Sequence, residues 1–211
     1  MGPCIYYFIL WLATANHPRN LLFQKEPPVS EETIVRHCSP TLAGLKTGNL
    51  FRASYTSRRD MREDIRHWNA ILAKKGLRVI PLRFQRGSAL IYLYRPHRLE
   101  NDLRDGRACA LLQQRGYCTD TPSRCIAGLI QRLRETEEFP HEIGLFLGYP
   151  PEDVYGFIEH KDEGCKCVGF WKVYGDADAA RRTFDRFRKC ADVYYRQWQS
   201  GRSLERLAVN G

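Results

Sequence analysis

Apolar residues recur at helical spacing in two long segments of the chain. In residues 57–75 they fall three or four positions apart, and in residues 176–199 aromatic residues occupy one face while basic residues occupy the other. We predict a helix over each segment, the second being a long amphipathic C-terminal helix. Capping residues, prolines and glycine stops predict shorter helices that open at residues 30 and 140 and that span 41–46, 99–103, 107–115, 122–134 and 150–158.

Runs of β-branched and aromatic residues predict the strands. Residues 77–84 and 88–94 are two such runs, and the glycine-containing loop Gln85-Arg86-Gly87 between them predicts a hairpin. Residues 49–53 and 167–174 are predicted as further strands. We therefore predict the α+β class, with a single domain over residues 30–211 in which a small mixed or antiparallel sheet is covered by several helices.

Residues 1–29 differ from the rest of the chain and are interpreted as an apolar N-terminal extension and linker. Residues 4–15, CIYYFILWLATA, have the length of a signal-peptide core, and Ala13-Thr14-Ala15 resembles a cleavage site. No Lys or Arg precedes this segment, however, so an export signal is the less favoured alternative. No apolar run approaches the roughly 20 residues of a spanning helix, and we predict no membrane span.

Composition narrows the class of protein. The formal net charge is +9, while 43% of the residues are hydrophobic, which excludes a wholly disordered basic tail. The chain has eight cysteines at irregular spacing. This is typical of free thiols in a reducing compartment rather than of a disulfide framework, so we expect a cytoplasmic protein.

Four motifs occur in the order HCSPTLAGLKTGNLF, LIYLYRP, FPHEIGLFLGYPPEDVYGFIEH and VGFWKVYGD. Together they resemble an uncharacterised clostridial family, domain of unknown function 3793, over roughly residues 30–209. The resemblance implies no established activity. It implies a link with flavodoxin-like or iron-related genes, and hence with anaerobic redox or iron metabolism. Similar sequences begin close to Ser30, so residues 1–29 depart from the family pattern.

Three residues of these motifs are candidates for catalysis. Cys38 precedes a helix predicted to start at Ser39-Pro40, where the partial positive charge of the helix end would lower the thiol pKa and favour a nucleophile. His141 and Glu142 follow Pro140 in a predicted first turn. That position favours a neutral imidazole, fit for a general base that Glu142 orients. The alternatives are a buried structural cysteine and ordinary first-turn electrostatics.

Four polar residues within otherwise apolar motifs are candidates for ligand binding: Lys46, Asn49, Arg95 and Lys172. Several lie at predicted strand ends, where they would together bind a phosphate or carboxylate. Taken singly, each residue fits a solvated charge or an ion-pair partner better than a ligand contact. No glycine-rich phosphate loop occurs, and Cys165 and Cys167 with His160 are poorly spaced for zinc, so we predict neither a conventional nucleotide site nor a metal site.

Two functional hypotheses follow. The first is a cytoplasmic domain that binds a small anion or a cofactor of unknown identity, with enzymatic activity left open. The second is a noncatalytic protein whose basic C-terminal helix binds an acidic flavodoxin-like redox partner or, less favourably, a nucleic acid. We also predict that the Cys38 thiol is more reactive than the Cys190 thiol, which flanks the apolar face of the last helix.

Overall fold

A three-stranded antiparallel sheet organises the structure, a computed structural model that describes residues 29–136 and 138–211. Its strands are β1 (Gly48–Ser54), β2 (Arg78–Gln85) and β3 (Ser88–Tyr94). The order is β1-β3-β2, with β3 paired to both neighbours. The predicted hairpin is confirmed as β2–β3, and its turn contains Gly87 at φ 69°, a conformation that glycine adopts without strain.

Nine α-helices surround the sheet in the described part of the chain. They are α1 (Glu31–Leu42), α2 (Arg58–Leu72), α3 (Pro96–Leu103), α4 (Gly106–Gln114), α5 (Pro122–Glu135), α6 (Ile143–Phe146), α7 (Pro151–His160), α8 (Ala177–Gln199) and α9 (Leu204–Leu207). Two short strands, β4 (Cys167–Val168) and β5 (Lys172–Val173), form a separate antiparallel ribbon before α8. The α+β class is confirmed, and the sheet is antiparallel rather than mixed.

The alternation of side chains along the strands divides the core into two layers. Phe51 and Ile91 face one layer, which also contains the buried side chains of α1, α2 and α9. Leu50 and Tyr92 face the other layer, which contains those of α3 to α7. A third, smaller cluster lies between the β4–β5 ribbon and the N-terminal half of α8, around Phe184. The sheet is therefore covered by helices on both faces.

The long C-terminal helix is confirmed as α8. Phe184, Phe187 and Cys190 are buried on one side, and Arg182 and Lys189 are exposed on the other. The amphipathic spacing identified this helix because its apolar stripe packs on the rest of the molecule along most of its length.

The helix start predicted at Ser39-Pro40 is wrong. Helix α1 begins after Ser30, whose side chain accepts a hydrogen bond from the Thr33 N–H (3.2 Å), and it continues through Pro40 to Leu42. Proline near the end of a helix removes only one backbone hydrogen bond. The buried side chains of α1 lie on both sides of Pro40 and keep the last turn helical. Residues 43–47 form turns and bends that lead into β1 rather than the predicted helix.

Two other local predictions also need correction. The single strand predicted over residues 167–174 is the β4–β5 ribbon, turned at residues 169–171. His141 and Glu142 lie in a turn that precedes α6, not in the first turn of a long helix. The predicted N-terminal extension lies outside the described residues except for Val29, whose carbonyl accepts a hydrogen bond from Trp68 Nε1 (2.6 Å).

Candidate ligand-binding site

A cavity of about 320 Å³ opens where the loop before β1, helix α3, the α6–α7 connection and the first half of α8 meet. We call it the Lys46 cavity. Among its lining residues are Lys46, Asp102, Asp153, Trp171 and Arg186, which come from five different parts of the chain. Side chains that are far apart in the sequence therefore converge on one concave surface.

Lys46 is held in this cavity by the end of α1. Its backbone N–H donates to the carbonyl of Pro40 (3.1 Å), and the residue is only 4% exposed. Its Nζ lies 5.0 Å from the centroid of the Tyr149 ring, within the range of a cation–π contact. Within the described part of the chain, no carboxylate lies within 4.0 Å of this amine and no acceptor receives a hydrogen bond from it. No fully buried side-chain nitrogen of the described residues lacks a partner, so the Lys46 nitrogen keeps some contact with solvent.

Burial without a counter-ion changes the acid–base behaviour of Lys46. Removing the ammonium from water lowers its pKa to about 7, and the interaction with the Cys38 thiol offsets this only in part. A lysine in this state exchanges its proton near neutral pH. Charged and neutral forms of the amine therefore coexist near neutral pH, and a negative group in the cavity would favour the charged form.

The carboxylate of Asp153 is already engaged by the protein. Its Oδ2 accepts from Trp171 Nε1 (2.7 Å), and its Oδ1 accepts from the backbone N–H groups of Tyr174 (2.7 Å) and Gly175 (2.8 Å). Asp153 is 3% exposed, and these three donors satisfy its buried charge. Its role is to fix the β4–β5 ribbon against α7, which places Trp171 in the cavity wall.

The other carboxylates of the cavity also have partners. Asp176 caps α8, and the hydrogen bonds that its carboxylate accepts from backbone N–H groups lower its pKa. Glu152 forms an ion pair with Arg107 (3.2 Å). Asp102 accepts a hydrogen bond from the Thr47 hydroxyl, and burial raises its pKa. The acidic side chains around the cavity are therefore committed to intramolecular contacts.

The cations of the cavity contrast with these acids. Arg98 and Arg186 line the cavity, are exposed, and have no ion pair with any described carboxylate within 4.0 Å. Solvation accounts for unpaired exposed arginines, whereas the Lys46 side chain is only 4% exposed and its ammonium is therefore poorly solvated. The cavity groups without a hydrogen-bonding partner among the described residues therefore include the cations Lys46, Arg98 and Arg186.

Aromatic rings form the apolar part of the wall. Trp171 stacks on Tyr149 with centroids 4.6 Å apart and meets Phe184 edge-on at the same centroid distance. Phe187 lines the cavity beside Trp171. These rings hold each other in place, so the wall is preformed and offers apolar surface next to the uncommitted positive charge.

Arg95, predicted as a ligand-binding residue, has its guanidinium occupied by backbone carbonyls. It donates to those of Thr41 (2.8 Å), Leu42 (2.8 Å), Lys75 (3.2 Å) and Val209 (2.9 Å). Two of these carbonyls belong to the last turn of α1, where a cation also complements the helix dipole. Arg95 ties the end of α1 to the C-terminal segment and does not line the Lys46 cavity.

His141 and Lys172 both contact the ring of Phe157, and neither residue lines the Lys46 cavity. The His141 ring meets Phe157 edge-on (4.9 Å between centroids), and Lys172 Nζ lies 5.3 Å from the same ring. Lys172 is also paired with Asp162. Burial lowers the pKa of His141, although the nearby Glu138 opposes this effect. These two predicted residues are neighbours of each other but not of Lys46.

Glu142 and Asn49 have structural partners of their own. Glu142 is 1% exposed, accepts from the Tyr117 hydroxyl (2.9 Å) and lies 3.6 Å from Arg132 Nη1. Asn49 Oδ1 accepts from the Thr41 hydroxyl (2.7 Å). The predicted orientation of His141 by Glu142 has no counterpart in these hydrogen bonds.

Cys38 lies inside α1, and its side chain is fully buried in the core. Burial raises the pKa of this thiol, and the interaction with Lys46 lowers it by less. The helix end that would have activated it lies eight residues earlier, at Ser30. The structure thus removes the physical basis on which Cys38 was predicted as a nucleophile.

Sequence reasoning identified Lys46 but missed the residues that build the cavity around it. Asp153 resembled an ordinary acid in the first turn of a helix, and Trp171 resembled a core residue of a strand. Both lie in the conspicuous motifs PPEDVYG and VGFWKVYGD, and that was the only available signal.

A sequence model described as "Protein of unknown function (DUF3793)" matches residues 34–208. The chain belongs to this family. The match includes every residue that lines the Lys46 cavity, so the cavity is part of the DUF3793 region. No curated protein and no solved structure matches the chain. The resemblance predicted from the four motifs is confirmed, while a clostridial origin stays a prediction.

No helix within residues 29–136 and 138–211 is long and apolar enough to cross a membrane. In the same part of the chain, no three His, Cys, Asp or Glu side chains are grouped closely enough to hold a metal ion.

Proposed function

We propose that this DUF3793 protein binds a small anionic molecule in the Lys46 cavity. The observation that carries the proposal is the buried amine of Lys46, which lines the cavity without a counter-ion among the described residues. An unpaired buried charge is costly, and an anionic ligand would remove that cost by supplying the missing partner.

The walls suggest the rest of the ligand. Trp171 and Phe187 offer apolar surface beside Lys46, and Arg98 and Arg186 add exposed positive charge. A cavity of about 320 Å³ lies at the lower end of the range for small-molecule sites. We therefore infer a compact organic carboxylate or phosphate with an apolar portion.

Phenyllactate combines a carboxylate with one aromatic ring and is a suitable probe for calorimetric titration at pH 7. We expect measurable binding by the wild type and at least about tenfold weaker binding by Lys46→Met, equivalent to about 1.4 kcal/mol. Lys74→Met is the matched control, because Lys74 is exposed and lies outside the cavity. Equal affinity of Lys46→Met and wild type would overturn the proposal.

A second candidate function rests on the exposed face of α8. Arg182, Arg186, Lys189 and Arg196 are exposed at positions that fall along one side of the helix, and the exposed Val193 lies among them. We call this row the α8 basic stripe. It supports binding of an acidic protein surface, for which a flavodoxin-like redox partner is the proposed class.

This candidate is tested with an acidic flavodoxin and a single-stranded oligonucleotide as separate probes. Binding through the α8 basic stripe should weaken steeply as salt is raised, and reversal of charge at Arg182, Arg186 and Lys189 should abolish it. Affinity that does not change with salt would reject the stripe as an interface. Binding of the oligonucleotide alone would replace the protein partner by a nucleic acid.

We further propose that the protein works in the reducing environment of the cytoplasm. Its cysteines are numerous and irregularly spaced, and the described ones are free thiols, with Cys118 exposed. Exposed free thiols are typical of proteins kept in reducing compartments. Thiol titration of protein isolated from cytosol without added reductant should find the described cysteines unpaired.

A further inference from the structure

We propose that Lys46 forms a Schiff base with the carbonyl group of an anionic oxo compound bound in the Lys46 cavity. This inference rests on the proposed function and specifies its ligand class. It adds a covalent step to a site that would otherwise only hold the ligand by charge.

The Lys46 amine is not held by a hydrogen bond or an ion pair with any described residue. Lys46 is only 4% exposed, yet no described residue accepts a hydrogen bond from its Nζ. Most buried lysines are held by a carboxylate, which keeps the nitrogen protonated and unreactive. The face of the Tyr149 ring, whose centroid lies 5.0 Å away, does not occupy the nitrogen lone pair, which is available once the proton is lost.

A Schiff base forms only from the unprotonated amine, and the burial of Lys46 supplies this form. Burial brings the Lys46 pKa to about 7, so a large fraction is unprotonated at physiological pH. Desolvation of this kind is a recognised way to activate a lysine toward carbonyl compounds. Lys74 is exposed, lies outside the cavity and serves as an internal reference.

The step is balanced without an oxidant or reductant. The Nζ lone pair attacks the carbonyl carbon, the carbonyl π electrons move to oxygen, and that oxygen takes a proton. The resulting carbinolamine loses its hydroxyl group with one proton as water while the C=N bond forms. The Asp102 carboxyl group lines the same cavity, and burial raises its pKa, which suits it to exchange these protons.

The arrangement of charges favours an oxo acid over a neutral aldehyde. The carboxylate of an oxo acid would be attracted by Arg98 and Arg186, which line the cavity and lack ion pairs with described residues. Once Lys46 has reacted, these arginines still hold the anion. The ligand would then be fixed at two points, one covalent and one electrostatic.

The test compares phenylpyruvate with phenyllactate, which share the carboxylate and the ring but differ in the carbonyl. Wild-type protein is incubated with each compound and cyanoborohydride at pH 7, and the adducts are mapped by peptide mass spectrometry. We expect one stable adduct on Lys46 with phenylpyruvate, at least tenfold above that on Lys74, and none with phenyllactate. Lys46→Arg should bind phenyllactate in calorimetry but form no adduct at position 46.

The outcomes separate the two proposals. Binding of phenyllactate together with no preference for Lys46 in trapping would overturn the Schiff base and leave the anion site standing. If neither compound binds and no adduct forms, both proposals fail. Peptide mapping of the wild type gives the decisive comparison of Lys46 with Lys74 even if Lys46→Arg does not fold.

Discussion

Lys46 Nζ lies 5.0 Å from the centroid of the Tyr149 ring, and no described carboxylate lies within 4.0 Å of the amine. A cation–π contact contributes roughly 0.5 to 2 kcal/mol, whereas a buried unpaired ammonium costs several kcal/mol. The ring therefore offsets only part of the cost of burial. The ammonium form of Lys46 destabilises the ligand-free protein.

The first prediction concerns stability against pH. The Lys46 pKa is about 7 in the folded protein and near 10.4 in an unfolded chain, so the unfolded state binds more protons between these values. The free energy of unfolding then rises with pH across this window. The destabilisation of the folded protein by the buried ammonium of Lys46 is fully present below pH 7 and absent above pH 10.4.

Replacing Lys46 by Met should remove this pH dependence. The difference in unfolding free energy between wild type and Lys46→Met should change by about 2 kcal/mol from pH 7 to pH 9, in favour of the wild type at the higher pH. Urea denaturation at both pH values measures it, with Lys74→Met as the control. A difference that stays constant with pH would show that Lys46 is not titrating in this range.

The second prediction assigns Arg95 to stability rather than to ligand binding. Arg95→Met leaves the carbonyls of Thr41, Leu42, Lys75 and Val209 without their donor, and we expect a loss of roughly 3 to 5 kcal/mol in urea denaturation. Those carbonyls join three parts of the chain, so water can replace the guanidinium only if the packing opens.

Arg98→Met is the matched control for Arg95. Arg98 is exposed and lines the cavity, so its loss should change stability by less than about 0.5 kcal/mol while weakening the binding of phenyllactate. If Arg95→Met were as stable as the wild type, the four-carbonyl contact would not be a major support of the fold.

The third prediction reverses the order of thiol reactivity expected from the sequence. Cys118 is exposed and should be alkylated first, whereas Cys190 is 9% exposed and burial raises its pKa to about 11. Cys38 is fully buried and should react only when the protein unfolds. Timed alkylation read by peptide mass spectrometry gives the order. Labelling of Cys38 before Cys190 in native protein would contradict the core position of α1.

The fourth prediction treats Glu142 as a buried structural acid. Tyr117→Phe removes the hydroxyl that donates to it, and the remaining contact with Arg132 is longer, at 3.6 Å. We expect a loss of about 1 to 3 kcal/mol in denaturant unfolding, because a buried carboxylate loses its hydrogen bond. Tyr155→Phe is the control, since Tyr155 is 51% exposed. Equal stability of the two variants would argue against this role.

The helices and strands could largely be predicted because their signals are local. Apolar spacing marked α2 and α8, and the Gln85-Arg86-Gly87 loop marked the β2–β3 hairpin. The exception was α1, where Pro40 resembled a helix start. The burial of Cys38 and Leu42 overrode that local preference, and burial depends on residues far away in the chain.

The site could be predicted only in part, because polar residues in similar motifs have different partners in space. Lys46 and Arg95 are both buried cations, but Arg95 meets backbone carbonyls and Lys46 meets an open cavity. Nothing in the spacing of the two residues distinguishes these situations. Of the four predicted ligand-binding residues, Lys46 lines the cavity, whereas Asn49, Arg95 and Lys172 do not.

Lys46 lines the cavity as a largely buried lysine that has no carboxylate partner among the described residues. The most direct test of this arrangement is an NMR titration of protein labelled with carbon-13 at the lysine Cε positions, with Lys46→Met to assign the signal. The account predicts one lysine that titrates near pH 7 and whose midpoint rises when phenyllactate is added. A Lys46 signal that titrates near pH 10 and does not respond to phenyllactate would contradict it.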